Sequence, residues 1–443
     1  MTQVKEKIED QFVAAFRVGQ MARGAEATWL TRLRESALDR FEQLGLPTVR
    51  DEEWKYTSPA QIAKTTYALA TAPAIKRDLV EGYFYPEALE SCLVFLNGVF
   101  NAEFSSLMGL PDGVVVMNLS TALANETQAA VIREHLARGA DYNANAFNAL
   151  NTAFAGDGAY VFIPRGVKVS TPLHLLFLTV PEASSVASFP RVLIIGEAQS
   201  EATVIESYAG TADGNYLTNA VTEVVLAEGA RLSHYKVQNE GAGASHLATT
   251  IADLDRDSVY DATTITLGAQ LSRHEIAVNL NREGAECWVD GLYIVGDGQH
   301  ADTHSAIHHT KPHGTSHQLY KGILDGKSHA VFNGKVFVHQ DAQQTDAKQT
   351  NRNLLLSNTA RVDTKPQLEI FADDVKCAHG ATVGQLEEEE LFYLVSRGLH
   401  PELAKNLLTY GFAEEVIAKI KIESIKQQLD EAVLHRLRAR LEA

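Results

Sequence analysis

The sequence predicts a mainly β chain, with a parallel β-helix core between α-helical ends. Three observations carry this reading. From about Cys92 to Ala381, short β-branched and aromatic runs alternate with Gly, Asn and Asp, the texture of strands separated by turns. Strand openings with a small first residue recur at Ala202-Thr203-Val204-Ile205, Ala230-Arg231-Leu232-Ser233, Ser258-Val259-Tyr260-Asp261 and Ala285-Glu286-Cys287-Trp288, about 28 residues apart. Coils of a β-helix stack with such a rhythm, although a β-sandwich also accommodates it. Finally, no long helical pattern interrupts the strands after about residue 155, which argues against a βαβ fold.

Three regions follow: helical 1–91, a β core over 92–383 and a helical 384–443. In the first, Leu30, Leu33, Ala37, Phe41 and Leu44 recur at three- and four-residue spacing, one face of a helix that Gly45 and Pro47 stop. The polar segment Arg50–Thr57 then carries Trp54 and Tyr56, which are expected to cover core. Strands are expected at Ala159–Pro164, Arg191–Gly196 and Val221–Leu226. In the tail, Glu387–Glu390 place negative charge at a helix start, Gly398 caps that helix and Pro401 opens the next, with Gly411 expected to close it. Ile425, Leu429, Val433, Leu437 and Leu441 form an apolar stripe at four-residue spacing, suited to the chain's own core or to a partner.

At 443 residues the chain has ample length for a core, on the order of three domains. Its net charge of −17 argues against binding nucleic-acid backbone or an anionic membrane surface. The charged N-terminus lacks an apolar signal core, and no apolar run is long enough to span a bilayer. Cys92, Cys287 and Cys377 are odd in number and far apart, so a reducing cytoplasm is the expected compartment.

The stretch Asp373-Asp374-Val375-Lys376-Cys377-Ala378-His379-Gly380-Ala381-Thr382 is the most chemical part of the chain. In an extended strand, Cys377 and His379 point to one face. Thiolate and imidazole suit iron, zinc or an iron–sulfur cluster, but two ligands cannot close a tetrahedral site. Six histidines also concentrate at His300, His304, His308, His309, His313 and His317. As strands, the first three share one face and the last three the other, either as a metal site or as polar strand faces and turns. Gly322–Ser328 resembles a phosphate loop but has three residues, not four, between its first Gly and Gly-Lys, and reads as a turn. No nucleophile elbow, dinucleotide fingerprint or H-E-x-x-H motif occurs, and no spacing singles out a glycosidase acid/base pair.

Longer motifs carry a family resemblance. Gln318–Lys327, Val331–Lys335, Gln349–Ser357, Pro366–Ile370, Asp373–Thr382 and Leu391–Gly398 together resemble the SufB/SufD family of the SUF iron–sulfur cluster assembly system. The sequence Cys-Ala-His-Gly-Ala-Thr, the early Glu53-Trp54-Lys55-Tyr56-Thr57 and the scarcity of cysteines are similar to its SufD branch. The resemblance implies a right-handed parallel β-helix flanked by helical regions. It implies a complex of one SufB, one SufD and two SufC ATPases, with nascent clusters forming at the SufB–SufD interface. It points to His379 there, with Cys377 beside it, and to SufC docking through Tyr393, Arg397, Gly398 and Phe412. ATP hydrolysis would then belong to SufC, and the chain would be a scaffold and not an enzyme. A reduced flavin goes with the assembled complex, though nothing in the sequence marks a flavin site. The alternatives are a stand-alone β-helix enzyme acting on acidic polysaccharide and a homodimer that holds iron or serves as an assembly intermediate.

Overall fold

A computed structural model describes residues 9–22, 26–182 and 184–439. Strand outweighs helix, 42% to 25%, and the strands form a parallel β-solenoid of about eight turns with helical N- and C-terminal regions. Each complete coil gives one strand to each of two sheets. Along one sheet the strands Glu201–Gly210, Arg231–Asn239, Val259–Thr266, Glu286–Val295, Thr315–Leu324, Thr345–Leu355 and Val375–Gly384 pair in sequence. The other runs through Tyr216–Leu226, Ser245–Leu254, Leu271–Leu280, His300–His309, His329–Val338 and Arg361–Ile370.

The sequence rhythm is the coil length. Ser258 and Ala285 open strands at matching register positions after Ala230, because Arg231, Val259 and Glu286 pair in line. The first repeat is two residues out of step: Leu232, not Ala230, stands beside Ala202.

Alternation decides which side chains enter the solenoid. Leu232, Tyr260, Cys287, Ser316, Ala347 and Cys377 form one inward column down a sheet. Much of the interior is apolar and fitted by tyrosines. The Tyr320 ring fills the space where a Cβ on Gly291 would stand, 2.1 Å from Cε1, and Tyr293 does the same at Gly322. The middle coils also bury ions. Glu206 bonds His234, Tyr208 and Thr222, while Lys236 bonds His246, which pairs with Glu240. Burial pushes Lys236 down to about 8 against the pull of both carboxylates. For Glu206 burial acts upward, but His234 and Lys236 outweigh it and hold the carboxyl at about 2.

Two helical layers cover the outer faces. The helix Thr28–Leu44 ends at Gly45 with φ 62° and buries Leu30, Ala37, Leu38 and Phe41. It packs beside Ala146–Phe154, whose nine residues are all buried. Helices thus recur beyond Cys92, at Leu119–Ala124, Glu126–His135 and Ala146–Phe154. Under this layer Arg191 and Glu223 form a fully buried ion pair. Trp54 is buried against Phe147 with Arg273 4.0 Å from its ring, as expected, but Tyr56 faces outward at 39% exposure.

At the other end, helices Glu388–Ser396, Pro401–Ile417 and Glu423–Ala439 follow the last strand. Gly411 does not close the second of these. The helix continues because Ala413, Val416 and Ile417 pack on the sheet, and their burial exceeds the roughly 1 kcal/mol cost of an interior glycine. Ile425, Leu429 and Val433 pack on Tyr235, Val237, Ile265 and Ile294 in the same cluster, so this part of the stripe serves the chain's own core and not a partner. The Leu437 side chain and Leu441 lie outside the described residues.

Candidate functional site

At the C-terminal end of the solenoid both sheets stop at the last coil. Val375–Gly384 pairs with Thr345–Leu355 on one side, and Arg361–Ile370 with His329–Val338. Each is the terminal strand of its sheet, so among the described residues their outer edges carry no further strand. Nearby Ile370, Phe371 and Val383 are 41, 64 and 46% exposed. Apolar exposure along unpaired edges is the geometry that invites another chain.

Cys377 and His379 stand on this edge. Cys377 pairs with Ala347 and His379 with Gln349, both buried interior positions. The two side chains therefore share the face towards the solenoid axis, as the i, i+2 spacing predicts. His379 is exposed and Cys377 half-buried. Burial raises the Cys377 thiol, a backbone bond from Ala347 opposes it, and the Asp346 charge raises it further, so the isolated chain favours the protonated form. Asp373 and Asp374 sit in the preceding turn, where the Asp374 amide donates to Gln343 at 2.9 Å.

A groove of about 350 Å³ runs beside His379, lined also by Lys348, Gln349, Asn351, Arg352 and Thr382. Lys348 and Arg352 are cationic and suit an anionic thiolate–sulfide cargo. They were not singled out in the sequence; the alternation of Thr345–Leu355 could have placed them on its outward face. Among the described residues no group of three or more His, Cys, Asp or Glu side chains is arranged to hold a metal ion. Two donors at an open edge leave coordination positions that another molecule would have to fill.

The histidine window does not form one site. His300, His304 and His308 do share an outer face. His309 points inward and bonds Ser316 at 2.8 Å. His313 occupies a turn with φ 63°, and His317 stacks on Trp288 outside the other sheet. The expectation of a common face for these last three is therefore corrected: the strand ends at His309, and alternation stops with it. His304 instead bonds Asp302 and Glu53, anchoring the segment around Trp54, while Lys335 and Lys365 hold Glu53 and Glu52.

The loop resembling a phosphate cradle is a turn between strands, as read. Its backbone amides at Gly326 and Lys327 already donate to Asp325 and Asp297 carboxylates, which would repel a phosphate. It fits neither a nucleotide nor the phosphate of a flavin.

In the tail, Tyr393 and Arg397 are exposed, with the guanidinium 5.1 Å from the ring, and Gly398 turns with φ 96°. Phe412 is half-buried against the sheet, with Lys321 4.5 Å from its ring. Phe392, Leu403 and Leu407 are 74, 53 and 50% exposed and extend an apolar surface that the sequence reading missed. The i, i+4 spacing of Leu403 and Leu407 was its available signal.

This geometry defines a β-solenoid that keeps a thiol and an imidazole at an uncapped end, with an apolar helical surface on the same chain. Comparison with known proteins gives the family. The model for the SufBD core domain of SUF system FeS cluster assembly matches residues 178–412, and that for the SufBD protein N-terminal region matches 6–175. An iron–sulfur cluster assembly SufBD family protein of Synechocystis is 37% identical over 432 residues, covering 96% of this chain and 95% of the relative. The iron–sulfur cluster assembly protein SufD of Escherichia coli is 32% identical, covering 91 and 92%. That of Bacillus subtilis is 29% identical, covering 91 and 93%. The chain belongs to the SufBD family of the SUF iron–sulfur cluster assembly system.

Proposed function

We propose that the chain is a SufD-type scaffold subunit without catalytic activity of its own, working in the cytoplasm. It pairs with SufB through the open end of the solenoid and presents His379, with Cys377 beside it, to a nascent cluster shared with that partner. The single observation that carries this reading is the last strand: it turns both donors towards the solenoid axis, and among the described residues no further coil covers its outer edge. The same edges can meet a second copy, which accounts for a homodimer when SufB is absent.

SufC docks on the region 384–443, around Tyr393, Arg397, Gly398 and Phe412, with Phe392, Leu403 and Leu407 as the apolar contact. The chain's contribution is to bind and position. His379 and Cys377 offer nitrogen and sulfur, and Lys348 and Arg352 supply positive charge at the groove. A covering partner would exclude water from the cluster. Nucleotide-driven closure of two SufC subunits would pull on helices that pack directly on the solenoid sheet, and so open the interface.

The test is co-purification with SufB and SufC, followed by His379→Ala in the assembled complex. Cluster formation is expected to fall with assembly intact. Unchanged cluster yield would remove His379 from the site, and failure to form any complex would remove the scaffold reading.

A further inference from the structure

One inward row of the solenoid leads to His379. Pairing in line puts Val289, Gln318, Gln349 and His379 at the same inward position of four successive strands. The two glutamines are buried and form a short ladder. Gln349 Nε2 donates to Gln318 Oε1 at 2.8 Å, and the Ser305 hydroxyl donates to the same oxygen at 3.1 Å. Stacked amides of this kind run head to tail, each N–H given to one neighbour and each C=O turned towards the other.

Two amide atoms of this ladder lack a partner, Gln318 Nε2 and Gln349 Oε1. They are its two ends. Behind Gln318 stands Val289, whose side chain has nothing to accept an amide hydrogen. Ahead of Gln349 stands His379, an imidazole with a ring N–H to give. Gln349 Oε1 is sealed from water, so its donor has to be a neighbouring side chain, and leaving it unmade costs about 1–3 kcal/mol. The step between rungs is the strand spacing of about 4.8 Å, which the Gln349–Gln318 bond already closes one coil earlier. The His379 ring stands exposed, makes no hydrogen bond among the described residues, and is free to turn at an edge that carries no further strand there.

We propose that Gln349 is a positioning residue for His379. The ring turns onto the end of the ladder and donates one N–H to Gln349 Oε1. The proton is thereby fixed on one ring nitrogen, and the other is left unprotonated and aimed outward for a metal ion. The purpose of the pairing rests on the reading of His379 as a cluster donor; its geometry does not.

The experiment reads the ring N–H groups of the full-length chain, labelled with 15N-histidine, by NMR in the absence of iron. An unbonded surface imidazole exchanges its N–H with water too fast to be seen, whereas a hydrogen-bonded one persists. The parent chain should show a ring N–H signal that His379→Gln deletes. Gln349→Met, of similar length but without an amide oxygen, should abolish the same signal. Absence of the signal from the parent chain, which needs no variant of Gln349 to fold, would overturn the proposal. So would its survival in Gln349→Met, which would give the proton another acceptor. In the complex with SufB and SufC, Gln349→Met should lower cluster formation by about tenfold or more with assembly intact. Cluster formation that falls in His379→Ala but not in Gln349→Met would remove the positioning role. If His379→Ala itself leaves cluster formation unchanged, the donor reading falls, and the ring N–H signal still decides the pairing.

Discussion

Cys287 and Cys377 stand in one inward column of one sheet, yet they are chemically different places. Cys287 has the coil of Tyr260 on one side and that of Ser316 on the other, and is fully buried. Burial, with the charge of Glu286, drives its thiol far above the ordinary range. Cys377 has Ala347 on one side and, among the described residues, no further strand on the other. The contrast teaches that position within the repeat does not make a thiol available. What matters is whether a further coil covers it, and at the last coil none of the described residues forms one.

The largest expected effect lies in the sealed middle. Tyr260→Ala removes a buried ring and the hydroxyl partner of His234, and should cost about 3–5 kcal/mol in denaturant unfolding. His379→Ala should change stability by no more than about 0.5 kcal/mol, since the side chain is exposed. Similar losses for both would erase the distinction between middle and end. Next, Phe392→Asp should weaken SufC binding by about 2 kcal/mol through loss of an apolar anchor. Titration calorimetry reads this, and an unchanged affinity moves the docking surface elsewhere. Alkylation sharpens the comparison directly. Iodoacetamide should modify Cys377 in the native chain, while Cys92 and Cys287 react only on unfolding. Adding SufB should protect Cys377, and mass spectrometry of the labelled peptides would reveal equal labelling if the three thiols were equally open.

The smallest effect concerns the segment tied down by Glu53 and His304. Burial lowers the His304 pKa, but Asp302 and Glu53 outweigh that and leave it raised. Its contribution is complete below the ordinary value of 6.5 and fades as pH rises through the higher folded value. Glu53 is held at about 2 by its His304 bond, against burial, and by Lys335. Its contribution is complete above 4.5 and fades as pH falls towards 2. Hydrogen exchange at residues 51–57, corrected for intrinsic rates, should be slowest between about pH 4.5 and 6.5. Glu53→Gln should remove the acid limb; a flat profile in the parent chain would rule out this linkage.

Much of this organisation was legible in the sequence for physical reasons. Period-two alternation put Cys377 and His379 on one face, and the cap signals at Gly45, Gly398 and Pro401 mark real helix ends. The ion cluster of Glu206, His234, Lys236 and Glu240 was not legible, because charged residues at inward positions read as an outward face until their partners are in space. Coil length also varies: Arg231 follows its partner Glu201 by 30 residues and Val259 follows Arg231 by 28, which hid the two-residue offset at Ala202. Gly411 failed as a stop because tertiary burial overrode local propensity.

The tyrosines over Gly291 and Gly322 have a consequence for how such a protein can change through time. In adjoining coils Gly291 faces Tyr320 while Tyr293 faces Gly322, so ring and hole alternate in opposite senses. A coil duplicated here would set ring against ring and hole against hole, and deleting the second would put Asn351 beside Gly291 and Asn353 beside Tyr293. The stack looks modular in its backbone but behaves as keyed pieces with a fixed order. Recombination that duplicates a turn, tolerated by regular repeats, is disfavoured at this joint, which helps to hold the distance from the sealed middle to the open end.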